Sequence, residues 1–306
     1  MKPVGLILDA NSISDLTVLA KKAEDANFDS VWATELYRTT FQQLSAVANS
    51  THKINLGTAV ALAFVRSPLI TSLTALDLDE ISNGRLILGL GTGAKRTNEM
   101  WHGINHGKPV TRIKECIELI RLLSSGVHNS SELSFEGEYY NISTKGYHRA
   151  FKPIRESFPI YLAGVGSNMI RASAEVADGY LGHVVCSLKY IREVVNKSLL
   201  SGLERSNRSR KDFKSCSIIT CAISENKKDA LEAARATIAF YATVRTYEPP
   251  FKLHGFQEQT ERVRDAFFKR DIKTMINSVT DEMVHTFAVV GTPSECVKKI
   301  DEYRDY

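Results

Sequence analysis

Residues 84–103, Gly-Arg-Leu-Ile-Leu-Gly-Leu-Gly-Thr-Gly-Ala-Lys-Arg-Thr-Asn-Glu-Met-Trp-His-Gly, join an apolar run to a glycine-rich turn crowded with polar side chains. Gly91, Thr92 and Gly93 let the backbone approach a ligand, because glycine has no side chain to hold a ligand off and tolerates positive φ. A tight turn without a ligand is the alternative. The spacing is not that of a dinucleotide fingerprint, which needs a third glycine, nor of a P-loop, which ends in Gly-Lys-Ser/Thr. Arg85 to Leu90 has strand length and lacks the alternation of a strand with one wet face, so it reads as a strand covered on both sides. A buried strand that ends in polar, glycine-rich backbone points to an α/β enzyme.

The surrounding patterns place further candidates. Val4 to Leu8 reads as a first strand, and Ser14 to Ala26 as an amphipathic helix with Ser12 or Ser14 as its cap. Ser30 to Ala33 is a second strand, Leu44 to Ser50 lies in a helix, and Ile54 to Val60 is a third strand. Pro68 opens a helix that ends before Asn83-Gly84. Leu86 to Leu90 is the fourth strand, Val110 to Ser124 a long helix, and Leu133 to Tyr140 a hairpin insertion around Glu136-Gly137. Strands are expected over Ile160 to Ala163, Tyr180 to His183 and Ser217 to Ile223. Helices are expected from about Asn168 to Ala177, over Leu188 to Glu204 and over Lys227 to Tyr241, with Thr246 to Asp281 as a loop and helices near the mouth. Alternation of this kind favours a single α/β domain, a (β/α)8 TIM-type barrel with insertions, over an open doubly wound sheet. In a barrel the strands' C-terminal ends carry the site, so Glu35 to Tyr37, Ala59 to Arg66, Gly91 to Asn98, Gly164 to Asn168 and His183 should converge on one mouth.

Composition narrows the partners. A net charge of +4 over 306 residues, with acids spread among the bases, makes no case for nucleic acid or an anionic membrane. The N-terminal apolar run is broken by Asp9 and is too short for a signal peptide or a span, so the chain reads as soluble and cytoplasmic. Five cysteines without zinc-ligand or Cys-x-x-Cys spacing read as free thiols, and no metal site is expected. The run from Ser67 to Leu78, with Leu69, Ile70, Leu73, Leu76 and Leu78, has more apolar surface than one core face uses, so a homodimer is expected.

Several segments together resemble the luciferase-like monooxygenase superfamily. They are Ser-Val-Trp-Ala-Thr-Glu at 30–35, Leu-Gly-Thr-Ala-Val-Ala-Leu-Ala-Phe-Val-Arg-Ser-Pro at 56–68, Asn-Gly-Arg-Leu-Ile-Leu-Gly-Leu-Gly-Thr-Gly at 83–93, Phe-Glu-Gly-Glu-Tyr-Tyr at 135–140, Pro-Ile-Tyr-Leu-Ala-Gly-Val-Gly at 159–166, Ala-Glu-Val-Ala-Asp-Gly at 174–179 and Val-Val-Gly-Thr-Pro at 289–293. The resemblance covers nearly the whole chain and is strongest to the branch with deazaflavin-dependent oxidoreductases. It implies a (β/α) barrel, FMN or the 8-hydroxy-5-deazaflavin coenzyme as cofactor, and hydride transfer or oxygen activation on a small organic substrate. It places Ala59 and Val60 behind the flavin ring, at a bulge that is sometimes a cis peptide, and Gly91, Thr92 and Gly93 along the cofactor. Gly164, Val165, Gly166, Ser167 and Asn168 match its phosphate loop, and a helix start there attracts a phosphate on physical grounds alone.

Two departures bear on the reaction. Deazaflavin relatives often carry Asp-His or Glu-His after the second strand, whereas this chain has Glu35-Leu36, and leucine cannot transfer a proton. Acid–base function then falls to Glu35, with Arg38 as its expected neighbour, or to Tyr37, His102 or His183, or the protein supplies none. Relatives also continue past Gly-Thr-Pro into a last strand, whereas here Asp305-Tyr306 ends the sequence, so the eighth barrel position is either filled from around Thr286 to Val290 or left open. A flavin-binding protein without turnover and a barrel enzyme for a phosphorylated metabolite are the other two readings.

Overall fold

The structure, a computed structural model, describes residues 3–129 and 132–304; Asp305 and Tyr306 lie outside the described residues. It comprises two compact units, one of residues 3–129, 132–163 and 175–179, the other of residues 164–174 and 180–304.

The first unit contains β1 (Gly5–Leu8), α1 (Ile13–Asp25), β2 (Ser30–Ala33), α2 (Thr40–Ser50), β3 (Asn55–Thr58), β4 (Ala61–Leu62), α3 (Pro68–Ile81), β5 (Leu86–Gly91), α4 (Lys95–Trp101), α5 (Pro109–Gly126), β6 (Ser134–Glu136), β7 (Asn141–Ser143) and β8 (Ile160–Ala163). Its main sheet runs β1, β2, β3, β5, β8, with β4 beside β5, and its pairs are parallel. Ser12 caps α1 by accepting from the Asp15 N–H at 3.0 Å, and Ser67 and Pro68 start α3. Asn83 and Gly84, both at positive φ, end that helix in the left-handed conformation typical of a C-terminal stop. Trp32 lies between β1 and β3, where a side chain on Gly57 would overlap its ring. The hairpin is displaced from the expected one: β6 stops at Glu136, residues 137–140 turn, and β7 begins only at Asn141. Its turn is set by Glu115 on α5, whose carboxylate accepts from the N–H groups of Glu138 and Tyr139 at 2.9 and 2.8 Å.

The second unit contains α6 (Ser167–Val176), β9 (Gly179–Leu181), α7 (Leu188–Tyr190), α8 (Asn196–Arg205), β10 (Lys214–Cys216), β11 (Thr220–Ile223), α9 (Lys227–Ala242), α10 (Glu248–Leu253), α11 (Gln257–Phe268), α12 (Ile272–Asn277), α13 (Asp281–Phe287), β12 (Ala288–Gly291) and α14 (Pro293–Tyr303); α6 and β9 each extend by one end into residues of the first. Two expectations need correction here. The helix expected over Leu188 to Glu204 is interrupted by a π-helical turn at Ile191–Val195. The strand expected over Ser217 to Ile223 begins only at Thr220, as β11; residues 217–219 are not in a strand, and β10 precedes them in a different sheet. Thr246 to Asp281 is mostly helix, and its Phe251, Phe256, Val263 and Met275 are buried in one core with Ala234 and Ile238 of α9 and Met283 and Phe287 of α13, the Phe251 and Phe287 rings lying 4.7 Å apart. Single-sequence patterns missed that core because its helices are short and their exposed faces highly charged. The strand sought around Thr286 to Val290 is β12, parallel to β11 with Cys221 opposite Val289.

Candidate functional site

In the first unit, Glu35 follows β2 and points back into the protein. Its Oε2 accepts from the Leu62 N–H at 2.7 Å and from Arg66 Nη1 at 2.9 Å, while Oε1 accepts from Arg66 Nη2. Arg38 is not its partner; it donates to the carbonyls of Ala10 and Asn11 at 3.0 and 2.6 Å. Leu36 and Tyr37 are exposed. The Ala59–Val60 peptide bond is cis. Val60 lies over Gly91 so closely that a side chain at Gly91 would overlap its Cγ2. Gly93 has a φ of +67°, and a side chain there would crowd Asn98 Oδ1. Asn98 is buried, and its Nδ2 donates to the Thr92 carbonyl at 2.7 Å and to His106 Nδ1 at 2.9 Å. That bond requires the His106 tautomer with its proton on Nε2. Burial pushes the His106 imidazole below its usual value. Asn98 Oδ1 has no hydrogen-bond partner among the described residues.

His102 ends α4 in the open, beside an exposed Trp101. The buried histidine of this segment is His106, which the sequence reading passed over. The only sequence signal for it was its place in Gly-Ile-Asn-His-Gly, where Gly103 and Gly107 both take positive φ.

In the second unit, Gly164 to Asn168 run from the end of the preceding strand into α6. Two buried tyrosines hold this turn: the Tyr180 hydroxyl donates to the Gly164 carbonyl at 2.8 Å and the Tyr190 hydroxyl to the Val165 carbonyl at 2.9 Å. In a trans peptide the N–H points opposite to the C=O, so the Val165 and Gly166 N–H groups face away from the tyrosines. The first N–H groups of α6 add to them, since a helix start leaves its donors without intrahelical acceptors. Apart from Gly166 itself and its two chain neighbours, no atom of the described residues lies within 4 Å of where a side chain on Gly166 would begin. Beside it opens a pocket of about 400 Å³ whose lining includes Gly166, Ser167, Tyr190, Val194, Lys252 and Leu253. Outward N–H groups, an open glycine and one lysine fit a phosphate. Neither tyrosine nor Lys252 was legible as part of this turn, because each reaches it from a distant point of the sequence.

His183 follows β9 and stacks on Tyr247, with ring centroids 4.0 Å apart, while Tyr241 meets it edge-on at 4.6 Å. Desolvation in this aromatic cage pushes its imidazole down to about 3. It is therefore neutral near pH 7, able to donate or accept a hydrogen bond but not charged.

Comparison with known proteins follows the same lines. The profile of the luciferase-like monooxygenase family matches residues 3–306. The 5,10-methylenetetrahydromethanopterin reductase of Archaeoglobus fulgidus is 33% identical over 297 residues, covering 94% of this chain and 85% of the relative. The coenzyme F420 dependent tetrahydromethanopterin reductase from Methanopyrus kandleri superposes with a TM-score of 0.83 at 26% identity, covering 99% and 89% of the two chains. A monooxygenase from Streptomyces bottropensis shares the fold, with a TM-score of 0.66 at 17% identity over 99% and 88%. The fold is mixed α/β of the TIM-barrel type with insertions.

Proposed function

The chain belongs to the luciferase-like monooxygenase family, whose members are flavin- or F420-dependent oxidoreductases, and from that membership we propose that it is a cytoplasmic reductase. It moves a hydride between the 8-hydroxy-5-deazaflavin coenzyme F420 and a small organic substrate. What carries this reading over FMN and oxygen is the nature of the relatives: those at 33% and 26% identity are reductases, the second F420-dependent, whereas the monooxygenase at 17% supports the fold alone.

The bound coenzyme supplies the hydride chemistry. The N–H groups of Val165 to Asn168, with Lys252 beside them, bind its phosphate by charge and dipole. Ala59, Val60, Gly91, Thr92 and Gly93 keep the cofactor-facing role that the family resemblance implies. His183, neutral and caged by tyrosines, orients substrate through a hydrogen bond. Leu36 supplies no proton, and His102 is exposed, so neither is assigned a chemical step.

Titration of the purified chain with F420 and, separately, FMN tests the proposal. Saturable F420 binding with substrate-dependent change of its absorbance is expected. Tight FMN binding with oxygen uptake would replace it with a monooxygenase, binding of either without turnover with a carrier, and binding of neither with an enzyme for a phosphorylated metabolite.

A further inference from the structure

The carboxylate that the sequence nominates for proton transfer is fully engaged. Glu35 takes three donors, one from the Leu62 backbone and two from Arg66. Its side chain is 8% exposed, and the Arg66 guanidinium is backed by the Phe41 ring at 5.3 Å. A two-pronged guanidinium–carboxylate pair of this kind is strong and directional, and its loss on one side leaves a poorly solvated charge on the other.

The place where Glu35 grips the chain matters as much as the grip. Leu62 belongs to β4, a strand of only two residues, with Ala61 opposite Leu90 and Leu62 opposite Gly91. Ala63 N–H reaches the Gly91 carbonyl at 2.9 Å, and one residue before β4 Val60 covers Gly91. So short a strand is not held by its own ladder. The carboxylate after β2 thus fixes the backbone two residues beyond Val60.

We infer that Glu35 is a positioning residue: with Arg66 it clamps residues 60–62 so that Val60 stays against Gly91, and it carries no proton in turnover. The inference rests on the proposed cofactor-facing role of Val60 and Gly91, but its geometry is testable without cofactor. In Glu35→Gln and Arg66→Gln, hydrogen exchange of the 60–63 amides in the cofactor-free chain should quicken about tenfold, while the amides of β1 keep their protection. The F420 Kd should rise by a similar factor, and the kcat–pH profile of Glu35→Gln should keep its shape. The double variant should be no worse than the worse single one, because both remove the same clamp. Unchanged exchange in both variants overturns the inference, as does a Glu35→Gln enzyme that binds F420 normally but loses one limb of its pH profile. If the parent chain binds no cofactor, the proposed function falls while the exchange measurement still decides the clamp.

Discussion

A single hydroxyl decides which way a peptide faces at the turn before α6. Tyr180 and Tyr190 each hold one carbonyl, and the N–H groups left facing outward are the ones a phosphate would use. Tyr190→Phe keeps the ring and removes only the donor, which frees the Val165 peptide to rotate and leaves its carbonyl short of a buried bond worth about 1 kcal/mol. F420 affinity should fall severalfold in that variant, while affinity for the same chromophore lacking phosphate stays level. Fluorescence titration with the two compounds reads the difference; an equal loss for both would reduce Tyr190 to a prop of the fold. Gly166→Asp, which sets a carboxylate in the open space over the turn, should weaken the phosphorylated compound further still.

Between elements, contact geometry leaves less freedom than the strand pattern suggests. β5 is buried along nearly its whole length, and at Gly91 the missing side chain is the room that Val60 fills. Val60 is β-branched and cannot swing aside cheaply. Gly91→Ala should therefore lower stability by about 1–3 kcal/mol, the range for overpacking a filled site. Adding Val60→Ala should recover part of that loss, since it removes the atoms in the way. Denaturant unfolding of the two single variants and the double one tests this coupling; strictly additive losses would mean that the two side chains do not compete for the same space.

At the scale of the whole molecule, assembly is the open property. The described residues hold no helix long and apolar enough to cross a membrane. The apolar outer face expected on α3 is smaller in the structure, because Leu76 and Leu78 are buried and the outward residues are Ile70, 52% exposed, with Leu69 and Leu73 partly covered. We propose that this reduced face, extended by the exposed Ile81, still joins two copies. Light scattering at micromolar concentration should report a dimer, and Ile70→Asp should shift it towards monomer. A parent chain that is monomeric under those conditions removes the proposal.

What the sequence settled by itself is local and periodic. Apolar runs of strand length, Ser67-Pro68 ahead of a helix and Asn83-Gly84 behind it each state a preference of a few neighbouring residues, and β1, β2, β5, α1 and α3 stand close to where those preferences put them, whereas β3 stops short, the hairpin is shifted and α4 had no such signal. The glycine turns were legible for the same reason, since a missing side chain is visible without a partner. What only the tertiary structure decided depends on residues far apart in the chain. Arg66 instead of Arg38 beside Glu35, Tyr180 and Tyr190 on the Gly164–Val165 backbone, and the helical core around Phe251 and Phe287 have no local spacing to announce them. Side-chain hydrogen bonds and ring contacts act over a few ångströms in space, and only the folded path of the chain fixes which residues come that close.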